Sequence, residues 1–143
     1  MRRNPVSIAS LGLAMIATAC TANPAPNETD VAIVFTDGGC ELLKAPRGES
    51  PNSVRVGAKN PTTEDYGVAI VTLQEGATKE DLEAFTSPGN PPFLDQFLTL
   101  IVPDREGEWT IEEVELVPEK ENFIVCGHSS RGAVAVPVVL IPR

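Results

Sequence analysis

Residues 53–73 read SVRVGAKNPTTEDYGVAIVTL, two apolar runs separated by PTTED. In residues 53–60, Val54 and Val56 alternate with Ser53 and Arg55, the period of a strand with one face in a core and the other in water. Residues 66–73 are denser in apolar side chains and predict a strand inside a sheet. Similar short runs recur at 30–35 (DVAIVF, ending at the turn signal Asp37-Gly38-Gly39), 97–102 (FLTLIV), 108–117 (EWTIEEVELV), 122–126 (NFIVC) and 133–141 (AVAVPVVLI). In EWTIEEVELV, Trp109 and Ile111 fall out of parity with Val114 and Leu116, which predicts a bulge across Glu112-Glu113. One helix is signalled over 79–85. Thr78 and Asp81 form a capping box in the wider sense, Leu82 and Phe85 share a face, and Ser87-Pro88-Gly89 stops the segment. Short strands with turn signals about every ten residues predict a mainly β, antiparallel sandwich or small barrel with one short helix over residues 31–143.

The start of the chain reads differently. A short basic stretch, Met1 to Asn4, precedes the apolar run Val6 to Ala19 and small residues ahead of Cys20, the three-part layout of a secretory signal peptide. As a helix the run would span about 21 Å, short of the ~30 Å hydrocarbon core, which argues against a permanent transmembrane helix. The residues IATAC, 16–20, resemble the lipobox of bacterial lipoproteins. That resemblance implies a leader of residues 1–19, cleavage before Cys20 and a diacylglycerol on its thiol. Residues 20–30, CTANPAPNETD, then predict a flexible, lipid-anchored tether, with two prolines and no aliphatic side chain larger than alanine. A plain secretory cleavage near Ala19 is the alternative. Either route places the domain outside the cytoplasm; lipidation would tie it to a membrane of a bacterial cell envelope.

The whole chain has 143 residues, with 11 Lys and Arg against 20 Asp and Glu and a formal net charge of −9. Removing residues 1–19 leaves 124 residues, enough for one modest core, and takes away Arg2 and Arg3, so 9 basic residues face 20 acidic ones, a net −11. That balance excludes nucleic acid as a partner, because phosphates demand clustered Lys and Arg. It also excludes adhesion to anionic lipid by charge alone. Of three cysteines, Cys40 and Cys126 remain once Cys20 is committed to lipid. An oxidising compartment and an even pair predict one disulfide, with free thiols or a metal-bound thiolate as alternatives. By loop-closure entropy such a crosslink contributes at most about 4 to 5 kcal/mol.

From Val31 onward the order of features resembles a cupredoxin-type Greek-key sandwich. After the apolar first strand, VRVGAKNPTTEDYGVAI is similar to that family's strand, glycine, strand-ending Asn (here Asn60) and next strand; VELVPEKENFIVCGH is similar to its hairpin leading into the Cys-containing metal loop. The resemblance implies a copper site of two imidazoles, a thiolate and a weak axial methionine, a set whose softness suits both oxidation states. It would place the thiolate at Cys126 and one imidazole at His128; the other imidazole would fall on Asp65 or Tyr66, and both methionines, Met1 and Met15, leave with the leader. One histidine and no methionine cannot build that site. The expectation is therefore a cupredoxin-like domain without copper or other cofactor, with Cys126 released to pair with Cys40. The alternative is a metal-binding or electron-transfer domain in which carboxylates complete a Cys126 and His128 site, better suited to zinc than to copper.

Catalytic readings are weaker. His128 lies beside Ser129 and Ser130, but chain neighbours seldom aim at one another as a nucleophile and base must, and no G-x-S-x-G turn is present. The pairs Glu80-Asp81 and Glu112-Glu113 read as solvated charge. The six acids within residues 108–121 lack the register of a calcium loop and read as an exposed sheet face. Phe93, Leu94 and Phe97 either form an exposed patch for a protein partner or cover one end of the sandwich. The sequence thus predicts no catalytic residue, and a non-enzymatic binding or envelope-structural domain whose partner it does not identify.

Overall fold

The computed structural model describes residues 25–104 and 107–143. The predicted leader, Cys20 and the first part of the predicted tether lie outside the described residues. The remainder is mainly β: β1 (Val31–Thr36), β2 (Gly39–Lys44), β3 (Ser53–Lys59), β4 (Tyr66–Leu73), β5 (Leu94–Ile101), β6 (Thr110–Glu115), β7 (Asn122–His128) and β8 (Gly132–Leu140), with one helix, α1 (Lys79–Ala84), between β4 and β5. They form two four-stranded sheets, ordered β2-β1-β3-β6 and β5-β4-β7-β8.

The predicted strands at 53–60 and 66–73 are β3 and β4. The sequence reading passed over β2. It follows the turn at Asp37 and Gly38, where Gly38 adopts φ 88° and so closes a tight hairpin at no steric cost. With β2 occupying one side of β1, β3 pairs on the other side and runs parallel to it; the other pairings between these eight strands are antiparallel. The first sheet is therefore mixed, where a wholly antiparallel sandwich was expected. Residues 29 and 30, expected as tether, are tied to this sheet. Thr29 is buried, Asp30 N–H donates to the Arg55 carbonyl at 2.8 Å, and the Asp30 carboxylate accepts from Arg55 N–H at 2.8 Å.

The bulge expected in β6 is absent: Ser53↔Glu115 through Ala58↔Thr110 pair without a slip. Parity breaks for another reason. Val114 opposes core Val54, whereas Ile111 opposes Gly57 on the outer face, where the Trp109 ring covers the glycine; a Cβ on Gly57 would lie 3.3 Å from that ring and 2.8 Å from the Thr29 methyl. Glu112 takes an inner-face position, opposite Val56, but β6 is an edge strand, and its carboxylate accepts from the Thr99 hydroxyl of β5 at 3.2 Å.

The main core lies between the sheets. Val31, Ile33 and Phe35 of β1, Val54 and Val56 of β3, Val68 and Ile70 of β4, and Ile124 of β7 interdigitate there, each full burial being worth about 1.5–3 kcal/mol. A second, smaller cluster lies on the outer face of β5-β4-β7-β8. Leu82 of α1 packs there on Val71, Phe123, Val125 and Val136. The capping box forms as the sequence predicts: Thr78 Oγ1 accepts from Asp81 N–H at 3.3 Å, and the Asp81 carboxylate accepts from Thr78 N–H at 2.8 Å.

Candidate functional site

Cys40 of β2 and Cys126 of β7 are joined as a disulfide, Cα to Cα 6.5 Å, across 86 positions of sequence. The bond staples an edge strand of one sheet to an inner strand of the other, and Cys126 is fully buried. The sulfur named for a metal in the alternative reading is thus covalently occupied. Among the described residues, no group of three or more His, Cys, Asp or Glu is placed to hold a metal ion.

His128 is the last residue of β7 rather than part of the following turn, because that strand runs two residues beyond Cys126. It pairs with Tyr66, whose ring stacks on Phe35 (centroids 4.7 Å, 4°) and meets the imidazole edge-on (5.3 Å, 81°). The Tyr66 hydroxyl oxygen accepts from Gly38 N–H at 3.1 Å and from Arg131 Nη2 at 3.3 Å. Only 9% of the His128 side chain is exposed. Its Nδ1 accepts from Ser130 N–H at 3.1 Å, so in the neutral ring the proton sits on Nε2, which lies 2.7 Å from the Glu64 carboxylate. The hydrogen bond from His128 holds the Glu64 carboxyl below its usual range, against an opposing desolvation effect that is larger than the contribution of either the His128 or the Arg131 charge.

The Ser130 hydroxyl lies 3.0 Å from the same Nδ1. Contrary to the sequence expectation, a chain neighbour does reach the imidazole, and Glu64, His128 and Ser130 form a line. Ser130's own N–H donates to the same nitrogen, so the three residues clasp the turn before β8 to the end of β7 and to Glu64. Asn60, the strand-ending residue of the sequence reading, is almost fully buried and shapes the facing loop: its Nδ2 donates to the Glu64 carbonyl at 2.8 Å, and its Oδ1 accepts from Thr62 N–H at 3.0 Å.

Beside this clasp lies a feature the sequence reading missed. The outer face of β5-β4-β7-β8 carries a groove of about 430 Å3 whose floor is Gly67, Ala69, Val125, Gly127 and Ala133. One wall is Phe97, Leu100 and Val102; the other is Phe85 with residues 89–91; His128 and Asp65 stand at one end. Gly132, at φ 72°, lets the far wall come close: a Cβ there would lie 2.5 Å from the Ser87 carbonyl oxygen. Of the expected patch, Phe97 is exposed at the rim and Leu94 lines the groove, while Phe93 turns away to meet Phe85 edge-on at 6.1 Å. A legible signal existed in YGVAI, where Tyr66, Val68 and Ile70 alternate with the small Gly67 and Ala69.

Comparison of the chain with protein families, with curated proteins and with solved structures finds no match.

Proposed function

We propose that the chain is exported and anchored by lipid on Cys20 to the extracytoplasmic side of a bacterial membrane, and that its domain is a cupredoxin-like Greek-key sandwich without copper that binds rather than catalyses. The observation that carries this reading is the Cys40–Cys126 disulfide: the thiolate that the resemblance assigns to copper is consumed by a structural crosslink. The Greek-key part draws support from the connections. With β5 flanking β6 across the open side of the sandwich, β4, β5 and β6 follow one another and β7 returns beside β4, the 4-1-2-3 order of that motif. A non-catalytic role draws support from the Ser130 backbone N–H, which donates to the Nδ1 lone pair of His128 that would have to take a proton from the Ser130 hydroxyl.

Intact-mass analysis of the protein from its native host, before and after reduction, tests the reading. The expected protein starts at a diacylated Cys20, resists thiol alkylation, and gains the mass of two hydrogens and two alkylatable thiols on reduction. An unlipidated chain overturns the anchor. A free Cys126 thiol with one equivalent of metal overturns the copper-free reading in favour of a Cys126 and His128 site.

A further inference from the structure

Among the described residues, five large hydrophobic side chains are exposed, and three of them, Phe97 (45%), Leu100 (52%) and Val102 (63%), stand along one wall of the outer-face groove. Their concentration on one wall of a groove, rather than a scatter over the surface, makes this patch the first candidate for a binding surface. The hollow they border exists because the strands beneath it carry glycine or alanine at Gly67, Ala69, Gly127 and Ala133 on that face. Gly67 and Gly127 oppose one another in β4 and β7, and Ala133 of β8 opposes Gly127. A Cβ on Gly67 would lie 3.1 Å from Leu100 Cδ1, so the missing methyl is what lets Leu100 lean over the floor.

We propose that this groove is a binding site for an uncharged, apolar small molecule. The inference rests on the reading of the domain as a binding module and names what it binds. Its volume, about 430 Å3, falls within the ~300–1,000 Å3 of small-molecule sites, which are likewise apolar with a few polar groups at one end. Charge decides the ligand class. Among the described residues, the ionisable side chains lining the groove are Asp65, Tyr66 and His128, with no Lys or Arg, and the chain carries a net −9. A carboxylate, sulfonate or phosphate head would meet no Lys or Arg among the described lining residues, and His128 already spends its nitrogens on Glu64 and Ser130. A second copy of the chain fits less well. Phe97, Leu100 and Val102 at those exposures present on the order of 300 Å2, against the ~800 Å2 per partner of a stable interface.

Photolabelling with a matched pair of probes, benzophenone and benzophenone-4-carboxylate, tests the proposal on the protein in the form its host holds it, with adducts mapped by peptide mass spectrometry. The expected result is saturable labelling by benzophenone on peptides from β4, β5 and the β7–β8 hairpin, with the carboxylate labelling them at least tenfold less. Ala69→Phe, which fills the floor from the outer face, is expected to reduce groove labelling at least fivefold. Leu100→Glu, a rim change at an exposed position, is expected to do the same without touching the floor, and Leu43→Ser on the other sheet to change nothing. Equal labelling by the carboxylate overturns the uncharged-ligand assignment. Groove labelling unchanged in both Ala69→Phe and Leu100→Glu overturns the site, and crosslinks joining groove peptides of two copies replace the small molecule with a second copy. Mass analysis reads the anchor and the disulfide and photolabelling reads the groove, so either proposal can fail alone.

Discussion

The two faces of the β5-β4-β7-β8 sheet are built by the same strands and do opposite things. On the inner face β4 presents Tyr66, Val68 and Ile70 and β7 presents Ile124 and Cys126, all buried between the sheets. On the outer face the alternate positions near the His128 end are Gly67, Ala69 and Gly127, and the space their side chains leave is the groove, while Val71, Phe123 and Val125 farther along pack under Leu82. Because successive strand residues point to opposite faces, a sequence can set the two faces independently. Here large residues close one face into a core, and small residues hollow the other. The inner face is also crosslinked, while the outer one is capped only by a helix of six residues, Lys79–Ala84.

If the inner face holds the fold, the largest loss follows from removing its crosslink. Replacing both cysteines, Cys40→Ala with Cys126→Ala, is expected to lower stability by about 4 kcal/mol, since the bond closes a loop spanning 86 positions. Urea titration of the oxidised wild type against the double variant checks this, and a loss below about 1 kcal/mol would show that the sheets need no staple.

An intermediate effect is expected from the outer face. Leu82 is the buried side chain of α1, and Leu82→Ala is expected to cost about 2–3 kcal/mol, toward the low end for core leucines because its cluster is small. The loss should be local. Hydrogen exchange is expected to quicken over residues 79–85 and to leave 66–71 and 123–126 protected, because those strands are held from the inner side. Simultaneous loss of protection in both segments would mean that the two faces fold as one unit.

Residues that feed the core were the legible ones. β3 and β4 stand out in sequence because Val54, Val56, Val68 and Ile70 repeat with period two, and the Cys40–Cys126 pairing followed from counting sulfurs on the expectation of an oxidising compartment. β2 was illegible because its inward residues, Cys40 and Leu42, are flanked by Glu41, Leu43 and Lys44, the composition of an edge strand designed against pairing. β6 misled because Trp109 and Ile111 serve the outer face, over Gly57, and Val114 the inner one. The groove was illegible for a more general reason. It is made by absent side chains, and a glycine or alanine in a strand reads as a weak strand former until its neighbours on the adjacent strands are known. The clasp depended on distance in sequence: Glu64 reaches His128 across 64 positions, a contact that no local pattern announces.

That clasp supplies the smallest effect and separates the rim of the groove from its floor. The Glu64 carboxyl is held below its ordinary value of 4.5, chiefly by the hydrogen bond from His128. A carboxyl depressed in the folded state stabilises it above the unfolded pKa, and that contribution disappears as pH falls through the folded pKa. Glu64→Gln keeps the shape of the side chain and removes the charge. The wild type is therefore expected to unfold at slightly higher urea than Glu64→Gln at pH 6–7, with the gap closing below pH 4.5 as the native carboxylate takes up its proton. Because half of the Glu64 side chain is in water, the gap is expected to shrink with added salt as well. A gap that persists undiminished to pH 3 would mean that the Glu64 charge contributes nothing and that the β3–β4 loop is held against β7 by Asn60 and the Ser129 to Asp65 backbone bond alone. In that case the polar end of the groove would be as rigid as its floor.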